Sequence, residues 1–162
     1  MRENIKLSRR GFIKATGAVC SAVLMAGAVP GLLKPVMAAE EKAGDIKDTL
    51  KKLFGDRKIE TGHVDLDVPI IAENGAVVPV TIKSDLPMTA GDYVKNVYVF
   101  SEGNLNPFVA KMSLTSANAK AEIAMRIKMR KTSNVRAVVE TSKGNLYQGL
   151  KEVKVTVGGC GG

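Results

Sequence analysis

From residue 63 to residue 157 apolar residues recur with a period of two, and that period predicts an all-β chain. Two further observations give the architecture. Seven to eight short strand-like runs fit into about 100 residues, and turn-forming residues separate them at regular spacing. Short alternating strands with regular turns fold as an antiparallel β-sandwich, here of immunoglobulin-like type. A parallel α/β sheet would need helical crossovers between strands, and none is apparent after residue 60.

The elements follow in order. Residues 45–54 predict a short helix, with Asp45 as N-cap and Gly55 as its end. Ile46, Leu50, Leu53 and Phe54 share one face, small enough to suit the sandwich edge or a partner. Val64, Leu66 and Val68 alternate with His63, Asp65 and Asp67. Asn74-Gly75 predicts a hairpin between Ile70-Ile71 and Val77-Val78. Val78, Val80 and Ile82 share a face, and Pro79 among them predicts an edge position or a bulge. Residues 93–100 are apolar on both faces, as a central strand requires. After a loop at 101–107, Ala110, Met112 and Leu114 share one face. Ile123, Met125, Ile127 and Met129 form the next, opposite Glu122, Arg126, Lys128 and Arg130. Residues 135–142 and 147–157 supply two more strands, joined through Lys143-Gly144-Asn145.

The bulk numbers suit one soluble domain with extras: 162 residues, 45% hydrophobic and 25% charged. The net charge of +8 is unevenly placed. Residues 1–38 hold six of the 24 basic residues and one of the 16 acidic ones, which leaves 18 against 15, or +3, for the rest. A nucleic-acid footprint needs a basic cluster outside this leader. The only candidate, Arg126, Lys128, Arg130 and Lys131, reads as the wet face of one strand or an interface rim, with anion steering as the lesser reading.

Residues 1–38 read as an export signal. Charged residues precede an apolar stretch from 15 to 29, and Val36-Met37-Ala38 is a small-residue cleavage site. Ser8-Arg9-Arg10-Gly11-Phe12-Ile13-Lys14 matches the twin-arginine pattern in Arg9, Arg10, Phe12 and Lys14. Gly17, Gly27, Pro30 and Gly31 interrupt the apolar run and argue against a membrane anchor. The expected location is the periplasm, after cleavage near Ala38.

Removing the leader also removes Cys20 and leaves Cys160 as the single cysteine, a free or intermolecular thiol. It sits in a tail, Gly158-Gly159-Cys160-Gly161-Gly162, in which glycines flank it on both sides. Glycine lacks a Cβ and visits most of backbone space, so the tail reads as a thin swinging arm presenting one sulfur. The domains expected are thus the signal at 1–38, the sandwich at 39–157 with its helix at 45–54, and the arm at 158–162.

Other candidates have plainer readings. His63 is the only histidine, and with Cys160 it cannot build a zinc or copper site within one chain, so no metal or cofactor is expected. His63, Asp65 and Asp67 read as solvated strand residues, and Met112, Met125 and Met129 as core. No triad or paired acid site appears, so the chain reads as non-catalytic. A thiol reacts as thiolate, and no basic residue lies within the arm to favour that form.

The twin-arginine leader, Ala72-Glu73-Asn74-Gly75 with Val78-Pro79, Asn106-Pro107 with Val109-Ala110, and Arg126-Ile127-Lys128-Met129 together resemble the SoxY family. To these are added residues 135–139 and the terminal Lys154-Val155-Thr156-Val157-Gly158-Gly159-Cys160-Gly161-Gly162. SoxY is the sulfur carrier of the periplasmic Sox system of thiosulfate-oxidising bacteria. The likeness spans nearly the whole chain and departs at 104–108, which is less proline-rich than the family pattern. It implies a carrier that binds thiosulfate-derived sulfur covalently on Cys160, with Gly158, Gly159, Gly161 and Gly162 as its arm. It also implies a heterodimer with SoxZ, which has no signal of its own. Transient clients would be the cytochrome SoxAX, the hydrolase SoxB and, where present, a sulfur dehydrogenase. Three rivals stand beside it: an exported structural sandwich crosslinked through Cys160, a cytosolic thiocarboxylate carrier using a terminal carboxylate, and an enzyme.

The leader generates a test. Arg9→Lys with Arg10→Lys is expected to strand the protein in the cytoplasm, together with a co-expressed partner lacking a signal. Cell fractionation checks this; normal periplasmic amounts of both proteins would refute the export reading.

Overall fold

A computed structural model describes residues 43–158. The export signal, with Arg9 and Arg10, and the tail residues Gly159, Cys160, Gly161 and Gly162 lie outside the described residues. One helix, α1 (Ile46–Phe54), precedes nine strands: β1 (Ile59–Thr61), β2 (Val64–Asp67), β3 (Ile71–Asn74), β4 (Val78–Ser84), β5 (Val94–Ser101), β6 (Phe108–Ser113), β7 (Ala121–Ile127), β8 (Ser133–Thr141) and β9 (Leu146–Val157).

The strands form the expected sandwich. One sheet runs β1-β9-β8-β5-β6, with β3 joined to the far end of β9; the other runs β2-β4-β7. Their inner faces meet in a core of Leu66, Val78, Val80, Ile82, Val97, Val99, Ile127, Met129, Val135, Ala137, Val139 and Val153. Most ladders are antiparallel, but β1 and β3 both pair with β9 in parallel. Alternation of side chains is the same in both kinds of ladder, so the sequence pattern does not distinguish them. Gly149 lets the sheets approach: a Cβ there would overlap the Val64 carbonyl oxygen of β2.

Asn74-Gly75 does not close a hairpin. β3 joins β9, β4 joins β2 and β7, and the turn carries the chain from one sheet to the other. A two-residue type I′ hairpin needs positive φ at both central residues, and Gly75 is not among the glycines with positive φ. Instead the Asn74 side chain accepts from the Ala76 amide at 2.8 Å, an Asx turn. Pro79 lies in the central strand of its sheet, yet the pairing of β2 reaches only Thr81, so beside Pro79 the strand has an open edge. A proline is accommodated there because no ladder partner needs its missing N–H.

β5 runs between β8 and β6, which explains its two apolar faces. Val97 and Val99 face the inter-sheet core, while Tyr98 and Phe100 belong to a second cluster on the outer face with Val138, Leu146 and Phe54. α1 covers that cluster with Ile46, Leu50 and Phe54, so its apolar stripe packs on the sheet face rather than the edge. The Phe54 ring meets Tyr98 edge-on at 4.8 Å. The Asp45 side chain accepts from the Lys47 amide at 2.7 Å, and Gly55 ends the helix at φ 64°.

Beside Phe54 lies a polar knot. Glu140 accepts from Asn96 Nδ2 at 2.8 Å, Tyr98 Oη at 3.1 Å and Arg57 Nη1 at 2.9 Å. Burial raises the Glu140 carboxyl pKa, but the hydrogen bonds from Asn96, Arg57 and Tyr98 outweigh burial and hold it below its ordinary value. Tyr98 is pushed up by burial first, then by the Glu140 charge and hydrogen bond. The lowered Glu140 pKa adds stability that is present above the ordinary value of 4.5 and is lost as pH falls through the folded-state value. Glu140→Gln is expected to cost about 1–2 kcal/mol at neutral pH. The melting-temperature gap between variant and parent should narrow below pH 4.5; a gap constant with pH would show that the charge is not what stabilises the knot.

Candidate functional site

The described chain ends at the root of the glycine-rich tail, and three connections converge there. The first is the β3–β4 turn: the Gly75 amide donates to the Val157 carbonyl at 2.8 Å, and the Met129 amide donates to the Gly75 carbonyl at 2.7 Å. The second is the β7–β8 crossover, where Thr132 Oγ1 accepts from the Val155 amide at 2.9 Å. The third is the β5–β6 loop, through Asn104. Its side chain donates to the Lys128 carbonyl at 2.9 Å and accepts from the Arg130 amide at 2.9 Å. Asn104 is only 3% exposed, and Met129, between the two residues it binds, is fully buried. Residues 128–130 are therefore held from both sides.

The final strand is also fixed along its β3 edge. The Lys154 amide donates to the Ile70 carbonyl at 3.0 Å, and Thr156 Oγ1 donates to the Glu73 carbonyl at 2.9 Å. Gly158 follows directly. A Cβ on it would fall on the Arg130 carbonyl oxygen, inside any van der Waals contact. Gly158, assigned to the arm by composition, is seated against the sandwich in this structure. The span beyond a seated Gly158 is correspondingly shorter: two residues carry the chain from Gly158 to Cys160, at most about 7 Å when extended.

The basic row changes its character. Only Arg126 lies in β7, which ends at Ile127, so Lys128, Arg130 and Lys131 belong to the crossover beside the tail root rather than to one strand face. Lys128 and Lys131 are exposed and Arg130 is half-buried. Asn104 is the residue that sequence reading passed over. It stood out only as a loop asparagine before Asn106-Pro107, and nothing local says that its amide bridges a crossover 24 residues away.

The remaining candidates stand apart from this root. His63 has a positive φ of 60°, just before β2, and its Nδ1 lies 2.8 Å from Asp85 Oδ1. Asp65 pairs with Lys151 at 3.4 Å, and Asp67 is exposed. Met112 and Met125 pack against the core edge, and Met129 lies within it. Among the described residues no group of three or more His, Cys, Asp or Glu side chains could hold a metal ion, and no helix is long and apolar enough to cross a membrane.

The seat of Gly158 can be tested without the thiol. Gly158→Ala forces a Cβ against a backbone oxygen and is expected to lower stability by about 1–3 kcal/mol, whereas Gly159→Ala should change it by less than about 0.5 kcal/mol. Equal melting temperatures for the two variants would show that Gly158 is not held.

Comparison with known proteins follows this geometry. Residues 50–160 match the family described as sulfur oxidation protein SoxY. The fold is similar to the sulfur carrier protein SoxY from Chlorobium limicola f thiosulfatophilum, at 35% identity and a TM-score of 0.57, over 68% of this chain and 96% of that one. It is also similar to a superoxide reductase (neelaredoxin) from Ignicoccus hospitalis, at 17% identity and a TM-score of 0.52, over 60% and 94%. At that identity the likeness extends to the fold alone. No curated protein sequence matches. With more than half of its length matched and a solved SoxY at 35% identity, the chain belongs to the SoxY family of sulfur carrier proteins.

Proposed function

We propose that this sulfur carrier holds thiosulfate-derived sulfur covalently on Cys160 and presents it to enzymes on the tail beyond Gly158. The observation that carries the reading is the extent of the family match: it ends at residue 160, on the only cysteine it contains. A root fastened to the sandwich supports it, because a carrier needs a fixed base under a short arm. Gly159, Gly161 and Gly162 leave the thiol without bulky neighbours, so it fits a narrow slot.

The chemistry follows from a thiol. The Cys160 thiolate and thiosulfate join through a new S–S bond, and two electrons leave to an oxidant; in the Sox system that oxidant is the cytochrome SoxAX. Water then cleaves the terminal S–S bond. Sulfate departs, a persulfide remains on Cys160, and the step is hydrolytic, as SoxB would perform it. A sulfur dehydrogenase, where present, would oxidise what remains. Tethering keeps each intermediate at high effective concentration for the next client. SoxZ is proposed as the stable partner and the periplasm as the site of action, reached by the twin-arginine route and cleavage near Ala38. No resident cofactor is invoked, and the chain itself performs no catalytic step.

The test is an intact mass. Protein incubated with thiosulfate, SoxZ and SoxAX is expected to gain one S2O3 unit, to lose sulfate when SoxB is added, and to gain nothing when it carries Cys160→Ser. An unmodified mass in the presence of active SoxAX refutes the reading. A disulfide-linked homodimer as the working form would favour the crosslinked structural protein instead.

A further inference from the structure

β7 is an edge strand: among the described residues it pairs with β4 alone. Folds blunt such edges by keeping them short or with bulges, prolines and inward-pointing charges. The other edges follow this rule. β1 has three residues, β2 and β3 have four each, and β6 carries a register shift against β5. β7 does not. Its seven residues, Ala121–Ile127, keep one register against β4 with no proline, and the residues on its inner face are all apolar. Two of them, Ile123 and Met125, pack against the core yet are only half-buried, so the core is thinly covered along this edge.

Pro79 sets the phase of the open edge. It lies opposite Arg126 in the ladder and has no N–H to donate, so that pair is of the non-hydrogen-bonded kind. The two kinds alternate along an antiparallel ladder. Glu122, Ala124 and Arg126 therefore turn their backbone N–H and C=O groups away from β4, towards the open edge. Their side chains alternate with the apolar ones and lie on the exposed outer face. Ala124 is the middle residue of the strand. An antiparallel copy of β7 centred on Ala124 covers the strand from end to end. It sets Ala124 opposite Ala124, Ile123 opposite Met125 and Glu122 opposite Arg126. In this register the charge order complements itself. Arg126 takes part in no ion pair among the described residues, and Glu122 has one distant partner, Lys83 at 3.7 Å.

We propose that the open edge of β7 is a self-association surface, to which a second copy of this chain adds its own β7, antiparallel about a two-fold axis at Ala124. The small sheets of the two copies become one, in the order β2-β4-β7-β7-β4-β2. At the junction Glu122, Ala124 and Arg126 pair the backbone groups that a single copy leaves open. A Glu122–Arg126 pair flanks the axis on each side, and Ile123 of each copy covers Met125 of the other. The proposal does not rest on the carrier reading.

The test uses the full chain carrying Cys20→Ala and Cys160→Ser, so that no native thiol links two copies. Its dimer dissociation constant is measured by sedimentation equilibrium at low salt. Glu122→Arg and Arg126→Glu each set like charges opposite one another on both sides of the axis. Each is expected to weaken the dimer roughly thirtyfold, and added salt should shrink the difference. An equimolar mixture of the two variants restores both opposite-charge pairs and should bind within about threefold of the parent. Ala124→Cys places two thiols at the axis, on Cα atoms about 5.5 Å apart, where a short bismethanethiosulfonate should join them. Thr81→Cys, one strand further from the axis, should stay unlinked. A parent that is monomeric at every concentration overturns the proposal, as does a dimer that ignores the charge substitutions or fails to link through Ala124→Cys. Protection of Ala124→Cys by SoxZ without self-linking overturns it too, and assigns the edge to that partner.

Discussion

The arrangement near the tail depends on one constraint, the fixing of the end of β9. Three segments meet it: the β3–β4 turn through the Gly75 amide, the β7–β8 crossover through Thr132 and β3 through its parallel ladder. Each supplies a partner for backbone groups that a strand end would otherwise leave open. Asn104 extends the clamp, because the crossover it holds is the surface on which Gly158 rests.

β9 also integrates the fold. It pairs with β8 along most of its length, with β1 at its start and with β3 at its end. On its inner side Gly149 admits the β2 backbone, which brings the three-stranded sheet within packing distance. On the outer side of its sheet, α1 shields Tyr98, Phe100, Val138 and Leu146. The Glu140 knot fills the margin of that interface with satisfied polar groups instead of a void. The helix-covered cluster and the tail root therefore lie at opposite ends of one strand, the first towards Leu146 and the second beyond Val157.

The likeness to a superoxide reductase shows how far one scaffold reaches. Two chains at 17% identity share a sandwich, and nothing about chemistry follows from that. What sets this sequence apart is local: a cysteine flanked by glycines after the last strand, and a basic β7–β8 crossover.

How much was legible follows from the range of the interactions involved. The period of two, the Asp45 and Gly55 caps and the two-faced apolar pattern of β5 are local or near-local signals, so the sequence by itself determined the sandwich, the helix bounds and the central strand. The glycines on either side of Cys160 are likewise visible in the sequence alone, and that residue lies outside the described ones. Only the tertiary structure decided that Asn74-Gly75 crosses between sheets, that β1 and β3 run parallel to β9, that Asn104 holds the crossover and that Gly158 is seated. These are contacts between residues far apart in sequence. Their register is set by how two sheets pack rather than by propensity, and a glycine required by close approach reads in sequence like one that confers freedom.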